Sequence, residues 1–120
     1  MIYVIDDDVS ICKALARVMK SAGVPVQTFI SAKDFLQSVK PAATDCMVVD
    51  IQMPEMSGLE LQETLFHSHI HTPIIFISAF DDEQIRSQAC KQGAAGYFQK
   101  PIDNNALLDA IKFAVDRAAS

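Results

Sequence analysis

The chain has 120 residues, half of them apolar, and 10 Lys and Arg against 15 Asp and Glu give it a formal charge of −5. That length suits one domain able to bury about two thirds of its surface. An acidic balance with no Lys/Arg run argues against this domain holding nucleic acid or an anionic membrane by itself, because both need clustered positive charge.

In chain order, Ile2 to Ile5 reads as a first strand, four apolar residues rich in β-branched types that suit burial on both faces. A helix follows from near Val9, with Ile11, Leu15, Val18 and Ala22 on one face, Lys13, Arg17 and Lys20 pointing away, and Gly23 as its stop. Val26 to Phe29 is a weaker second strand, and Ser31, three residues before Asp34, caps a helix near 32 to 40. Cys46 to Val49 and Ile74 to Ile77 form the third and fourth strands, each followed by a helix, near 58 to 69 and 82 to 92. Ala95 to Phe98 completes five strands, and Asp103 caps a last helix near 104 to 118. Its buried stripe is Leu107, Leu108, Ile111 and Val115, which leaves Phe113 on the opposite side with Asp109, Asp116 and Arg117.

Five alternations of strand and helix predict an α/β domain, a parallel sheet with right-handed crossovers and helices on both faces. No repeat, low-complexity tract or linker divides the chain, so residues 1–120 are expected to be a single domain, with any effector domain outside them. Cys12, Cys46 and Cys90 are odd in number and form no C-x-x-C pair, which points to a reduced, cytoplasmic protein whose thiols are small buried hydrophobes. Met1 is followed by apolar residues and acids rather than a basic leader, and no apolar stretch reaches the ~18 residues of a membrane span.

Ligands of such sheets gather at the carboxyl ends of the strands. There the topology brings together Asp6, Asp7 and Asp8 after the first apolar run, Asp50 after the third, Ser78 after the fourth and Lys100 after the fifth. Two carboxylates 4 to 5 Å apart repel by about 3 to 4 kcal/mol at an effective dielectric near 20, so the cluster demands a proton or a hard cation. Oxygen ligands flanked by one lysine suit an octahedral ion that keeps waters and shares a phosphate, which points to Mg²⁺.

These residues resemble the receiver domains of bacterial two-component response regulators. The resemblance rests on Val4-Ile5-Asp6-Asp7-Asp8, then Val48-Val49-Asp50-Ile51-Gln52-Met53-Pro54-Glu55-Met56-Ser57-Gly58, then Ile77-Ser78-Ala79, and finally Lys100-Pro101, in that order across the whole chain. Short loops make it most similar to the FixJ branch of transcriptional regulators. The resemblance implies a flavodoxin-like fold with strand order 2-1-3-4-5. It also implies a phosphoryl group accepted on Asp50 from the phosphohistidine of a sensor histidine kinase. Asp7, Asp50 and the backbone carbonyl of Gln52 would hold Mg²⁺, with Asp6 helping through water.

Each implied role makes chemical sense, because phosphoryl transfer passes through a loose transition state whose catalysis is positioning and charge neutralisation. Lys100, the Ser78 hydroxyl and the Ala79 backbone N–H would serve phosphoryl oxygens, and Pro101 would be cis, aiming Lys100 inward. Ser78 and Tyr97 would act as the switch, altering the face made by the fourth helix, fifth strand and fifth helix. An outward Phe113 on that face suggests a phosphorylation-dependent homodimer, with transcription as the output. Such a domain is no metabolic enzyme; it catalyses only its own phosphorylation and slow dephosphorylation. Gln52 and Phe80, two positions beyond Asp50 and Ser78, sit where side chains admit or block water. The basic face of the first helix is either a wet surface or a kinase contact.

Two other classes compete. Ile2 to Val9 also reads as the hhhhDxD segment of a haloacid-dehalogenase-type phosphatase, with Asp6 as nucleophile and Asp8 as general acid, although 120 residues leave little room for a cap. A flavin- or nucleotide-binding module would want a Gly-rich phosphate loop, and Gly23, Gly58, Gly93 and Gly96 are scattered instead. His67, His69 and His71 form an H-x-H-x-H run that is expected to be a solvated loop rather than a metal site.

Overall fold

The computed structural model describes residues 1–118, and the last two positions of the expected 1–120 domain lie outside them. Five strands, β1 (Ile2–Ile5), β2 (Val26–Phe29), β3 (Cys46–Asp50), β4 (Ile74–Ser78) and β5 (Gly96–Gln99), alternate with five helices, α1 (Val9–Ser21), α2 (Ala32–Ser38), α3 (Gly58–His67), α4 (Glu83–Lys91) and α5 (Asn104–Ala118). The strands form one parallel sheet in the expected order β2-β1-β3-β4-β5.

Side chains alternate across the sheet, which divides the core in two. Tyr3, Ile5, Met47, Val49 and Phe76 face one layer, packed with Phe35 of α2, Leu61 and Leu65 of α3 and Ala89 of α4. Ile2, Val4, Val48, Ile75 and Ile77 face the other, packed with Cys12, Leu15 and Met19 of α1 and Leu107, Ile111 and Ala114 of α5. Every residue of β1, β3 and β4 is buried, which is why these strands read as unbroken apolar runs rather than as alternations.

Caps set the helix starts. Asp8, Ser31, Ser57 and Asp82 each accept backbone N–H groups of the first turn, and Ser57 and Glu60 close a reciprocal capping box on α3. Asp103 accepts the Ala106 N–H at 3.1 Å at the start of α5. Gly23, at φ +73, takes the left-handed turn beyond α1 that its sequence position implied.

Three details depart from the sequence reading. The buried stripe of α1 is Cys12, Leu15 and Met19, while Ile11 and Val18 are half-buried and Ala22 is the exposed C-cap. Cys12 packs with Leu15 and Met19 in the core, and its thiol donates to the Asp6 carbonyl at 3.2 Å. On α5, Ala114 lies in the core with Leu107 and Ile111, while Leu108 and Val115 flank it. Cys90 is exposed on α4, unlike buried Cys12 and Cys46, so the expectation of three buried thiols fails at the one cysteine whose helix position faces solvent.

Candidate phosphoacceptor site

The site assembles at the carboxyl edge of the sheet, from the ends of β1, β3, β4 and β5. Asp50 and Ser78 are the last residues of β3 and β4 rather than the first beyond them, so their positions are set by the ladder itself. Asp50 pairs with Ile77 and Ser78 with Gln99, placing the hydroxyl-bearing residue one step further along its strand than the acid. Lys100 follows directly, its backbone N–H donating to the Ser78 carbonyl at 2.7 Å. The Lys100–Pro101 bond is cis, as expected.

Asp6 is wholly buried, and both of its carboxylate oxygens are engaged. One accepts the Asp8 N–H at 2.9 Å, and the other lies 2.9 Å from the Lys100 ammonium. The same ammonium stands 3.6 Å from an Asp50 oxygen. Carboxylate oxygens of Asp6, Asp7 and Asp50 all fall within 4.8 Å of one another, the only such group of potential metal ligands among the described residues.

Burial, followed by the charge of Asp6, pushes the Asp50 carboxyl up to about 6, against the opposing pull of the Lys100 ammonium. Burial pulls the Lys100 ammonium the other way, but its hydrogen bond to Asp6 and the charges of Asp50 and Asp6 outweigh this, so its pKa is raised. Three carboxylates thus face one ammonium. An all-oxygen donor set with surplus negative charge fits a hard divalent cation such as Mg²⁺.

The Ser78 hydroxyl is occupied locally: it donates to the Phe80 carbonyl at 3.0 Å and accepts the Phe80 N–H at 3.1 Å. Ala79 lies exposed in the same loop, and Gln52 is exposed beyond Asp50, where its N–H hydrogen-bonds the Asp50 carboxylate. Tyr97, on β5 beside Phe76, packs half-buried against the α3–α4 layer of the core. Phe113 is 64% exposed on α5, with the Arg117 guanidinium 5.7 Å from its ring.

Sequence reasoning missed the parts played by Gly58 and Arg86, and it placed Asp8 in the acidic cluster rather than at a helix start. Gly58 approaches the back of the site so closely that a Cβ there would lie 2.5 Å from the Asp50 carbonyl oxygen. Asp8 is the α1 cap, accepting the Ser10 N–H at 2.8 Å, and the D/S/T rule for helix starts was the available signal. Arg86, whose guanidinium lies 5.1 Å from the Tyr97 ring, carried no signal in the sequence at all.

The phosphatase alternative is not supported. Asp6, its nucleophile, is fully buried and held on both oxygens, and Asp8, its general acid, caps a helix. His67, His69 and His71 are exposed, at the end of α3 and in the loop before β4, and His67 stands 3.6 Å from Glu63. No helix among the described residues is long and apolar enough to cross a membrane.

Comparison with known proteins agrees with this geometry. The family model described as "Response regulator receiver domain" matches residues 2–112. The chain is 41% identical over 118 residues to the response regulator protein TodT of Pseudomonas putida, covering 98% of this chain and 52% of TodT. It is 35% identical to the transcriptional regulatory protein FixJ of Azorhizobium caulinodans, covering 98% of this chain and 56% of FixJ. A solved structure of the response regulator StyR superposes with a TM-score of 0.91 at 41% identity, covering 98% of this chain and 60% of that one. The chain therefore spans about half the length of the curated relatives it matches.

Proposed function

This chain belongs to the response regulator receiver domain family, and from that membership we propose that it accepts a phosphoryl group on Asp50 from the phosphohistidine of a sensor histidine kinase. A single observation carries the assignment to Asp50. Its carboxylate lies in the cluster with Asp6 and Asp7 and stands 3.6 Å from the Lys100 ammonium, whereas Asp6 is fully buried with one oxygen on the Asp8 N–H and the other 2.9 Å from Lys100.

In the proposed step an Asp50 oxygen attacks phosphorus, the new O–P bond forms as the N–P bond of phosphohistidine breaks, and the imidazole leaves with its electron pair and takes a proton. Lys100 moves from pairing carboxylates to pairing a phosphoryl oxygen, and the Ser78 hydroxyl and Ala79 N–H serve another. Asp6, Asp7, Asp50 and the Gln52 carbonyl would hold Mg²⁺, which when bound supplies neutralisation of the carboxylates and of charge on the transferring group.

The domain's own catalysis is confined to its phosphorylation and slow dephosphorylation, with Gln52 and Phe80 tuning the second. The added charge draws the Ser78 hydroxyl from Phe80, repositions Tyr97 and alters the α4–β5–α5 face, where Phe113 offers a homodimer contact. The chain is read as a single receiver domain, with any effector domain outside it, and the output as transcriptional and cytoplasmic. This fits the half-length coverage of transcriptional relatives. The basic side of α1, with Lys13, Arg17 and Lys20 exposed, offers the kinase a complementary surface.

Intact mass after incubation with Mg²⁺ and phosphoramidate tests the reading. A gain of about 80 Da that requires Mg²⁺ and vanishes in Asp50→Asn is expected. An adduct that persists in Asp50→Asn and vanishes in Asp6→Asn, or no adduct under any condition, overturns it.

A further inference from the structure

Tyr97 sits in an unexpected balance. Its hydroxyl is buried and has no hydrogen-bond partner, so that end of the side chain opposes the position the ring occupies. What favours the position is the packing of the ring against the α3–α4 core layer and the Arg86 guanidinium, 5.1 Å from its centroid. The same guanidinium reaches back to the β4–α4 loop, where its Nη2 lies 3.2 Å from Asp81 Oδ1. Asp81 follows directly on Phe80, whose N–H and carbonyl are both bound by the Ser78 hydroxyl.

We propose that Arg86 is a positioning residue for Tyr97, and that the Asp81–Arg86–Tyr97 contacts form a clamp making the ring's position depend on the β4–α4 loop. Arginine suits the task because its planar head lies over an aromatic face while its edge N–H groups reach a carboxylate, which the compact ammonium of lysine cannot do at once. The proposal deepens the phosphoacceptor reading and rests on it for its trigger. Turning the Ser78 hydroxyl toward a phosphoryl group on Asp50 breaks both of its bonds to Phe80, frees the segment carrying Asp81, and loosens the guanidinium over the ring. Tyr97 then leaves a site in which its hydroxyl was never satisfied. Arg86 and Asp81 are both substantially exposed, so the clamp is weak and sets a threshold rather than a lock.

The chain has two tyrosines, Tyr3 and Tyr97, and no tryptophan. Fluorotyrosine labelling of the full chain therefore yields two fluorine resonances, assigned with Tyr97→Phe. Before any phosphodonor is added, Arg86→Ala is expected to shift the Tyr97 resonance and leave that of Tyr3 in place, with Arg86→Lys failing to restore it. Asp81→Asn shifts it in the same direction, and the double variant moves no further than Arg86→Ala. With Mg²⁺ and phosphoramidate, the donor concentration giving half the Tyr97 response falls by about two- to fivefold in either single variant. A resting Tyr97 resonance unchanged by Arg86→Ala, or additive effects of the two substitutions, overturns the clamp. Intact mass on the same samples keeps the two readings apart: absence of an adduct in the unsubstituted chain defeats the phosphoacceptor reading, while the resting resonance still decides the clamp.

Discussion

Lys100 and Asp6 form a 2.9 Å ion pair across 94 positions of sequence, with Asp6 fully buried and the ammonium also 3.6 Å from Asp50. One cation at the end of β5 thereby serves acids at the ends of β1 and β3. Removing it leaves the carboxylates facing one another in partial burial. Lys100→Met is expected to destabilise the metal-free protein by about 1–3 kcal/mol, less than the ~3–5 kcal/mol of breaking a fully buried pair because the lysine is partly solvated. Urea unfolding with and without Mg²⁺ checks this, and the variant should gain more from the ion than the unsubstituted chain does. Equal gains in both would show that Lys100 does not offset the acidic cluster.

Asp50 predicts an inverted pH dependence. Its carboxyl stands at about 6 in the folded chain against 3.8 for an unperturbed aspartate, so the folded state binds more protons than the unfolded state between these values. The stability this group contributes is present below about pH 4 and is lost as pH rises through about 6. The difference corresponds to about 3 kcal/mol at most. Asp50→Asn should flatten that slope and raise metal-free stability near pH 7.5 by about 1–3 kcal/mol, measured by urea unfolding at several pH values. An unaltered slope in the variant would assign the dependence to other acids.

Gly58 matters through contact rather than through its backbone angles. A methyl group there meets the Asp50 carbonyl oxygen at 2.5 Å and the Ile51 Cα at 3.0 Å, both of them backbone atoms that cannot swing aside. Gly58→Ala is expected to cost about 1–3 kcal/mol and to slow adduct formation by displacing the end of β3. Thermal unfolding and the time course of the mass gain read the two effects. Stability and rate both unchanged would mean that α3 shifts freely.

The thiols should separate cleanly. Cys46 is buried, and burial pushes its thiol up to about 12; burial, aided by the charges of Asp6, Asp8 and Asp7, also raises that of Cys12, while Cys90 is exposed. A thiol reagent under native conditions is expected to modify one group rapidly, with the other two reacting only on unfolding. Cys90→Ser should abolish the fast phase, and a fast phase surviving that change would place a second thiol at the surface.

The acids, the hydroxyl and the lysine of the site were legible because each closes a short apolar run, and a parallel sheet has only one edge where such ends can meet. The strands and the helix caps were legible for a similar reason. Burial on both faces enforces continuous apolar runs, and Ser31 and Asp103 satisfy orphan N–H groups within three residues of themselves. Local chemistry of that range is written in the order of residues. The burial of Cys12 on α1, the exposure of Cys90, the close approach of Gly58 to Asp50 and the seat of Arg86 over Tyr97 belong to a different range. Each depends on how one element lies against another, and periodicity fixes a helix's apolar side only to within a residue or two. Sequence alone therefore determined the class of fold and the chemistry collected at its edge. Tertiary packing decided which oxygens Lys100 holds, how far burial and Asp6 push up the Asp50 carboxyl, and which side chain lies over Tyr97, because those outcomes are settled by contacts of a few ångströms between segments far apart in the chain.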